Sequence, residues 1–237
     1  MYVCIECGSR AKHLFLRNSS SQQVSRCPSC NRKMDRYFEL NGLIKLIDLL
    51  LLKRRIFRHY LFNSKRDFTK DVLIMLAVRM FTEPILQHHE ALGLLLSEGP
   101  GEGVSIAEMA TICRDVLESL METSLLLVLV FSMFHRHAGF VRLSSALLLS
   151  SFYYLFMFIM TMWRYQCEEY LLVIEFLCVA CNSIVISEIC LVRNEVALGC
   201  IYGCKFAAGL VCKRILGTIR LNLFLSGCST IPKYSPA

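Results

Sequence analysis

The chain has 237 residues, of which 55% are hydrophobic and 19% charged, with 13 cysteines and a net charge of +7. That balance is too apolar for an ordinary soluble domain. An odd cysteine count, mostly inside apolar stretches, excludes a secreted disulfide framework. The charge is unevenly divided: residues 1–71 carry 15 Lys/Arg against 6 acids, a net +9, while the remainder carries 11 against 13, a net −2. A basic head on an apolar chain points to an anionic membrane surface before nucleic acid. The opening MYVCIECG lacks the basic start and apolar core of a signal peptide, so the head is expected in the reducing cytosol.

Residues 1–40 read as a four-cysteine zinc ribbon. Cys4-x2-Cys7 and Cys27-x2-Cys30 stand 19 residues apart, within the range of a four-thiolate site. Two such turns fill a tetrahedron and leave no position for substrate, so the zinc would be structural. Gly8 and Asn31 directly follow the pairs, and both tolerate the positive φ that closes such a turn. Pro28 stiffens the second turn. The run His13–Leu16 and the polar tip Asn18–Gln23 predict a β-hairpin between them. A unit this small cannot build a sufficient core, so metal binding, worth about 10–16 kcal/mol in zinc peptides, would supply most of its folding free energy. His13 could substitute as a ligand, although a solvated or packed histidine is the simpler reading. Arg10, Lys12, Arg17, Arg26, Arg32, Lys33 and Arg36 could meet phosphate, but only Phe15 and Tyr37 offer stacking, so no nucleic-acid partner is expected.

Residues 41–66 continue as a basic amphipathic segment. Leu43 to Phe62 contains no Gly or Pro and predicts one helix, with Lys45, Asp48, Arg55 and His59 on a narrow face. The segment is too short in apolar residues to span. It reads as an interfacial helix, with Lys53, Arg54, Arg55 and Arg58 at headgroup level and His59 beside them as surface or partner contacts. Each cation there contributes about 1 kcal/mol. The alternative is a core helix of the head with a solvated basic end.

The paired cysteines, then Asp35-Arg36-Tyr37, Ile47-Asp48-Leu49 and Arg58-His59-Tyr60-Leu61-Phe62-Asn63, resemble the homology domain of the Arv family in order and spacing across residues 4–63. Leu147-Leu148-Leu149-Ser150-Ser151 is also similar. The resemblance implies a protein of the endoplasmic-reticulum membrane, active in sterol and phospholipid distribution and in glycosylphosphatidylinositol assembly. It assigns no role to Asp35, Tyr37, Asp48 or Asn63.

Residues 67–212 predict about four spans. Residues 143–163 are free of charge, 170–192 hold Glu175 and Glu188, and 116–134 are apolar in their second half. Residues 71–87 are interrupted by Arg79, Glu83 and Pro84, and 196–212 either span or dip in and return around Lys205. The positive-inside rule fits four crossings with a cytosolic head, and the basic tail 213–237 disfavours a fifth. If 71–87 does not cross, the later orientations reverse. Glu175 and Lys205 could pair with each other, with Arg79 or with a headgroup, or lie near span ends. Cys178-x2-Cys181 reads as small packing groups, and His135 and His137 as loop residues.

The expectation is an all-α multi-span integral membrane protein with a small N-terminal zinc ribbon and an interfacial amphipathic helix. No Ser-His-Asp order, phosphate loop or open metal site stands out, so a non-enzymatic role is expected. Its partners would be sterols, anionic phospholipids and inositol-lipid intermediates. Alternatively, the ribbon is a scaffold for a membrane enzyme of lipid-anchor synthesis.

Overall fold

The computed structural model describes residues 2–16, 23–64, 69–87, 106–162 and 168–228. The ribbon comes first. Strand β1 (Tyr2–Val3) pairs antiparallel with β2 (Arg10–Ala11), Tyr2 opposite Ala11 and Val3 opposite Arg10. In a second hairpin, Leu16 N–H donates to Gln23 C=O (2.9 Å) and Ser25 N–H to Leu14 C=O (2.8 Å). Most of its expected polar tip lies outside the described residues. The ribbon's own buried cluster is Cys4, Leu14, Val24, Cys27 and Met34, too little apolar surface to hold a fold unaided.

The predicted single helix over 43–62 is broken in two. Helix α1 (Gly42–Leu50) ends where Leu52 adopts φ 53, and α2 (Arg54–Arg58) runs on into a π-helical turn, His59–Asn63. Leu52 N–H donates to Leu49 C=O and Lys53 N–H to Asp48 C=O, the pair of bonds that closes a Schellman end. A leucine in the left-handed region is strained. The strain is held by Asp48, whose buried carboxylate accepts from Tyr37 Oη (2.7 Å) and Lys53 Nζ (2.6 Å). Anchoring Asp48 inward turns Leu43, Ile44, Leu46, Ile47 and Leu51 outward, so α1 exposes an apolar face as an interfacial helix must.

Helices α3 (Thr69–Gln87), α4 (Ile106–Phe134), α5 (Phe140–Ser150), α6 (Tyr154–Met162), α7 (Glu168–Cys190) and α8 (Asn194–Cys228) form the rest. Among the described residues, four stretches are long and apolar enough to cross a membrane: Met109–Phe134, Phe140–Met157, Leu172–Cys190 and Asn194–Ile215. The protein is thus mostly helical and multi-pass, with little sheet. The second stretch is bent. Ser150 Oγ donates to Leu147 C=O (3.0 Å) and contacts the Asn182 amide, Ser151 Oγ donates to Leu147 C=O (2.9 Å), and the chain turns before α6. Such back-bonding by serine bends helices. The segment expected over 196–212 does not dip and return but lies inside one continuous helix.

Inside this bundle, charges find partners. Arg79 Nε donates to Thr123 Oγ1 (2.7 Å), Ser119 Oγ donates to the Arg79 carbonyl (3.1 Å), and the guanidinium sits 4.9 Å from the Tyr154 ring centre. Lys205 Nζ meets Glu175 Oε1 at 2.9 Å, one of the pairings the sequence left open. Cys178 and Cys181 are buried packing groups, and His135 and His137 lie in an exposed turn.

Candidate metal centre

Each CxxC turn is built by the same backbone bonds. Gly8 N–H donates to Cys4 C=O and Cys4 N–H to Ser9 C=O; Asn31 N–H donates to Cys27 C=O and Cys27 N–H to Arg32 C=O. Gly8 (φ 77) and Asn31 (φ 56) are left-handed, as the closing position requires. The two turns bring Cys4, Cys7, Cys27 and Cys30 together with every Sγ within 4.8 Å of the others. Cys4 and Cys30 are 3.7 Å apart, Cys7 and Cys27 3.6 Å. A tetrahedral ion with metal–sulfur bonds of about 2.3 Å needs sulfurs about 3.8 Å apart. The four residues fit such an ion. His13 stays outside the cluster.

Ser9, not singled out in the sequence, lies beside the sulfurs: its Oγ is 3.0 Å from Cys7 Sγ and 3.1 Å from Cys27 Sγ. The thiols consequently differ. Burial pushes Cys4 up to about 12. Burial also raises Cys27, but the Ser9 hydroxyl and the amides of Cys30 and Ser29 outweigh it and bring Cys27 down to about 6.

A second polar cluster ties the ribbon to α1 and the π-turn. Asp35, fully buried, accepts from Tyr37 N–H (3.0 Å), Asn63 Nδ2 (2.7 Å) and the His59 ring, Nδ1 lying 2.8 Å away. Asn63 also brackets Val3, its Oδ1 accepting from Val3 N–H (2.9 Å) and its Nδ2 donating to Val3 C=O (2.8 Å). Tyr37 and Asp48 continue the cluster; burial and the Asp48 carboxylate push the Tyr37 phenol up to about 12. Asp35, Tyr37, Asp48 and Asn63 are therefore one buried bracket between the head and its first helices.

The five positions expected at headgroup level divide. Arg54 is exposed. Lys53 reaches back to Asp48, and Arg55 Nη2 pairs with Glu6 Oε2 at 3.0 Å, both still partly exposed. Arg58 and His59 face inward instead. His59 is taken by Asp35. Arg58 forks onto Glu188 of α7 (Nε–Oε2 2.7 Å, Nη2–Oε1 3.1 Å) and donates through Nη1 to the carbonyls of Ile5 (3.2 Å) and Glu6 (3.1 Å) inside the first CxxC turn. A Cβ on Gly8 would lie 3.4 Å from the Arg58 Cζ, so the guanidinium rests directly on that turn. Tyr153 Oη donates to Leu50 C=O at 2.7 Å, a further tie between head and spans. Ile5, Tyr37, Ile56 and Phe57 belong to the same buried cluster as residues of α4–α8.

The model of the Arv1-like family matches residues 3–186, covering the metal cluster, the bracket and most of the spans. The chain belongs to the Arv1-like family. Among curated relatives, it is 25% identical over 187 residues to "Protein ARV 2" of Arabidopsis thaliana, covering 77% of this chain and 81% of that protein. It is 26% identical over 175 residues to mouse (Mus musculus) "Protein ARV1", covering 70% and 65%. Identity rises to 40% over 65 residues with the Bos taurus "Protein ARV1", a match covering 27% of this chain and 23% of that one. No solved structure matches. The four cysteines of this Arv1-like chain can hold a metal ion, and Arg58 links their first turn to a membrane helix.

Proposed function

We propose that this Arv1-like protein serves lipid homeostasis at the endoplasmic-reticulum membrane, with its head on the cytosolic face and zinc as the structural ion. It would contact sterols, phospholipids and inositol-lipid intermediates, distribute them within the cell, and support glycosylphosphatidylinositol assembly. The observation that carries the reading is α1. Its apolar residues Leu43, Leu46, Ile47 and Leu51 point outward while its one acid is bonded inside, and it is fixed through Arg58 and Leu50 to helices able to cross a membrane. That arrangement suits a surface lying among lipid headgroups. The chemistry is non-enzymatic on this reading, because four sulfurs fill a tetrahedral ion and leave no open position for water or substrate.

Photoactivatable sterol and inositol-lipid probes test it directly. Specific labelling of the purified full chain, mapped to α1 and the spans, supports the reading; labelling no stronger than an unrelated membrane protein rejects it. A scaffold role, in which the ribbon recruits a membrane enzyme of lipid-anchor synthesis, is favoured by the same closed metal site. Affinity purification after C27S/C30S separates the two. Loss of partner enzymes with lipid labelling intact selects the scaffold.

A further inference from the structure

Head and spans meet around a cavity of about 400 Å³, within the ~300–1,000 Å³ of ligand sites. Phe57 of α2, Met75 of α3, Ala146 of α5 and Val185 of α7 line it, and all four are buried, so its interior is apolar. Ile74, also in the lining, is 56% exposed, so the cavity reaches the outer surface of the helices at α3. On α5 the lining runs from Arg142 to Ser150, a rise of about 12 Å at 1.5 Å per residue. That fits inside one leaflet of a hydrocarbon core about 30 Å thick.

Two polar groups at the head end of this wall are not used by the fold. The Arg142 guanidinium lies 5.2 Å from the Phe62 ring centre, and among the described residues no carboxylate is within 4 Å of it. Ser145, one turn along the same face of α5, lines the cavity too, and its hydroxyl makes no hydrogen bond among the described residues. Its neighbours Ser144 and Ser150 differ, each donating to a carbonyl of its own helix. Asp71, the acid of the lining, is engaged elsewhere.

Both unused groups donate, so together they suit an anion. Phe62 steadies the guanidinium through its ring face, and a residue of the π-turn thereby sets where that anion would sit. Arg142 stands near the start of the stretch Phe140–Met157, which is able to cross a membrane, and this puts it at headgroup level. A cation at headgroup level above an apolar cavity matches an amphiphile with a negative head. A sterol brings the guanidinium no charge. A zwitterionic lipid adds an ammonium, for which the lining has no unengaged acid. We propose that the cavity holds one acyl chain of an anionic glycerophospholipid, with its phosphate on Arg142 and Ser145. The second chain stays in the bilayer beyond Ile74. The inference rests on the lipid-homeostasis reading and deepens it by naming a site and a lipid class. A lipid seated here touches α2 and the π-turn as well as α3 and α5, so it braces the joint between head and spans.

The test uses the purified, zinc-loaded full chain in phosphatidylcholine vesicles containing a little phosphatidylglycerol with a diazirine on one acyl chain. The same labelled chain on phosphatidylcholine is the comparison. Cross-links at Met75 and Ala146 should exceed those at exposed Phe206 of α8, and should favour phosphatidylglycerol. R142Q should lower cavity labelling by phosphatidylglycerol about tenfold or more, and S145A should lower it less. R136Q, which removes an exposed cation outside the lining, should leave it unchanged. Equal cavity labelling by the two lipids overturns the proposal, as does R136Q weakening it as much as R142Q, the mark of diffuse surface attraction. Displacement of the probe by cholesterol but not by unlabelled phosphatidylglycerol overturns it in favour of a sterol. Should R142Q fail to fold, S145A decides, and unchanged labelling there rejects the site. If sterol and inositol-lipid probes still label α1 and the spans while the cavity stays unlabelled, this inference alone falls; loss of both removes the lipid reading as well.

Discussion

Ser9 places one hydroxyl between two sulfurs of the metal cluster and can donate to either thiolate. Protons compete with metal for these sulfurs, so affinity falls as pH falls. Ser9 helps hold Cys27 down to about 6; S9A removes that donor and raises its pKa. Zinc should then be released at a higher pH than from the native chain, with affinity about 10- to 100-fold weaker, as read by competition with a chromophoric chelator across pH. Arg58 carries a different consequence. It and Glu188 are largely buried, and removing one partner of such a pair costs about 3–5 kcal/mol. R58L and E188L should each lower the melting temperature sharply in detergent, while the double replacement should cost less than their sum. Lysine at position 58 should not rescue, since it cannot fork onto a carboxylate and reach two carbonyls together. These two residues also mark how far sequence reaches. The metal ligands were legible because each pair is four residues long and followed by Gly8 or Asn31. Arg58 and His59 read as surface cations because their partners, Glu188 and Asp35, lie 130 and 24 residues away.

Helix α1 shows the same boundary at the level of elements. Its amphipathic pattern was evident, but its end was not, since nothing local announces a left-handed leucine at Leu52; that conformation depends on Asp48 being held by Tyr37 and Lys53. The bend after Ser150 was equally hidden, because a charge-free run looks like a straight span until the hydroxyls are given acceptors. The exposed face of α1 makes a direct prediction. A spin label at residue 46 or 47 should report lipid-like oxygen accessibility in vesicles, whereas one on exposed Arg54 should report water. L46A should change stability in detergent by less than about 0.5 kcal/mol, because it removes no buried contact. A loss of several times that size would mean α1 packs inward instead.

At the scale of the whole molecule, head and spans share one core, so losing the metal should do more than unfold a small appendage. Chelation, or C27S/C30S, should make residues 1–64 sensitive to limited proteolysis and lower the melting temperature of the entire chain, with the spans remaining resistant to cleavage. The head is bonded at Glu188, beside the turn where α7 hands over to α8. Glu188 fixes the α7–α8 turn on the head's side and Asn194–Ile215 then crosses away from it; this order requires α3 to make a fifth crossing beside the four apolar stretches, so a tag at the C-terminus should be protected on the membrane face opposite the head. Charge counting favoured the same face for both, and a protease-protection assay decides between them. The Arg58–Glu188 contact also sets an order of events during synthesis. At about 5–20 residues per second, the head emerges many seconds before Glu188 exists to receive it. Through that interval Arg58 has no membrane partner, and the ribbon must keep its shape on metal and its own few contacts. Metal bound early would therefore favour completion of the junction.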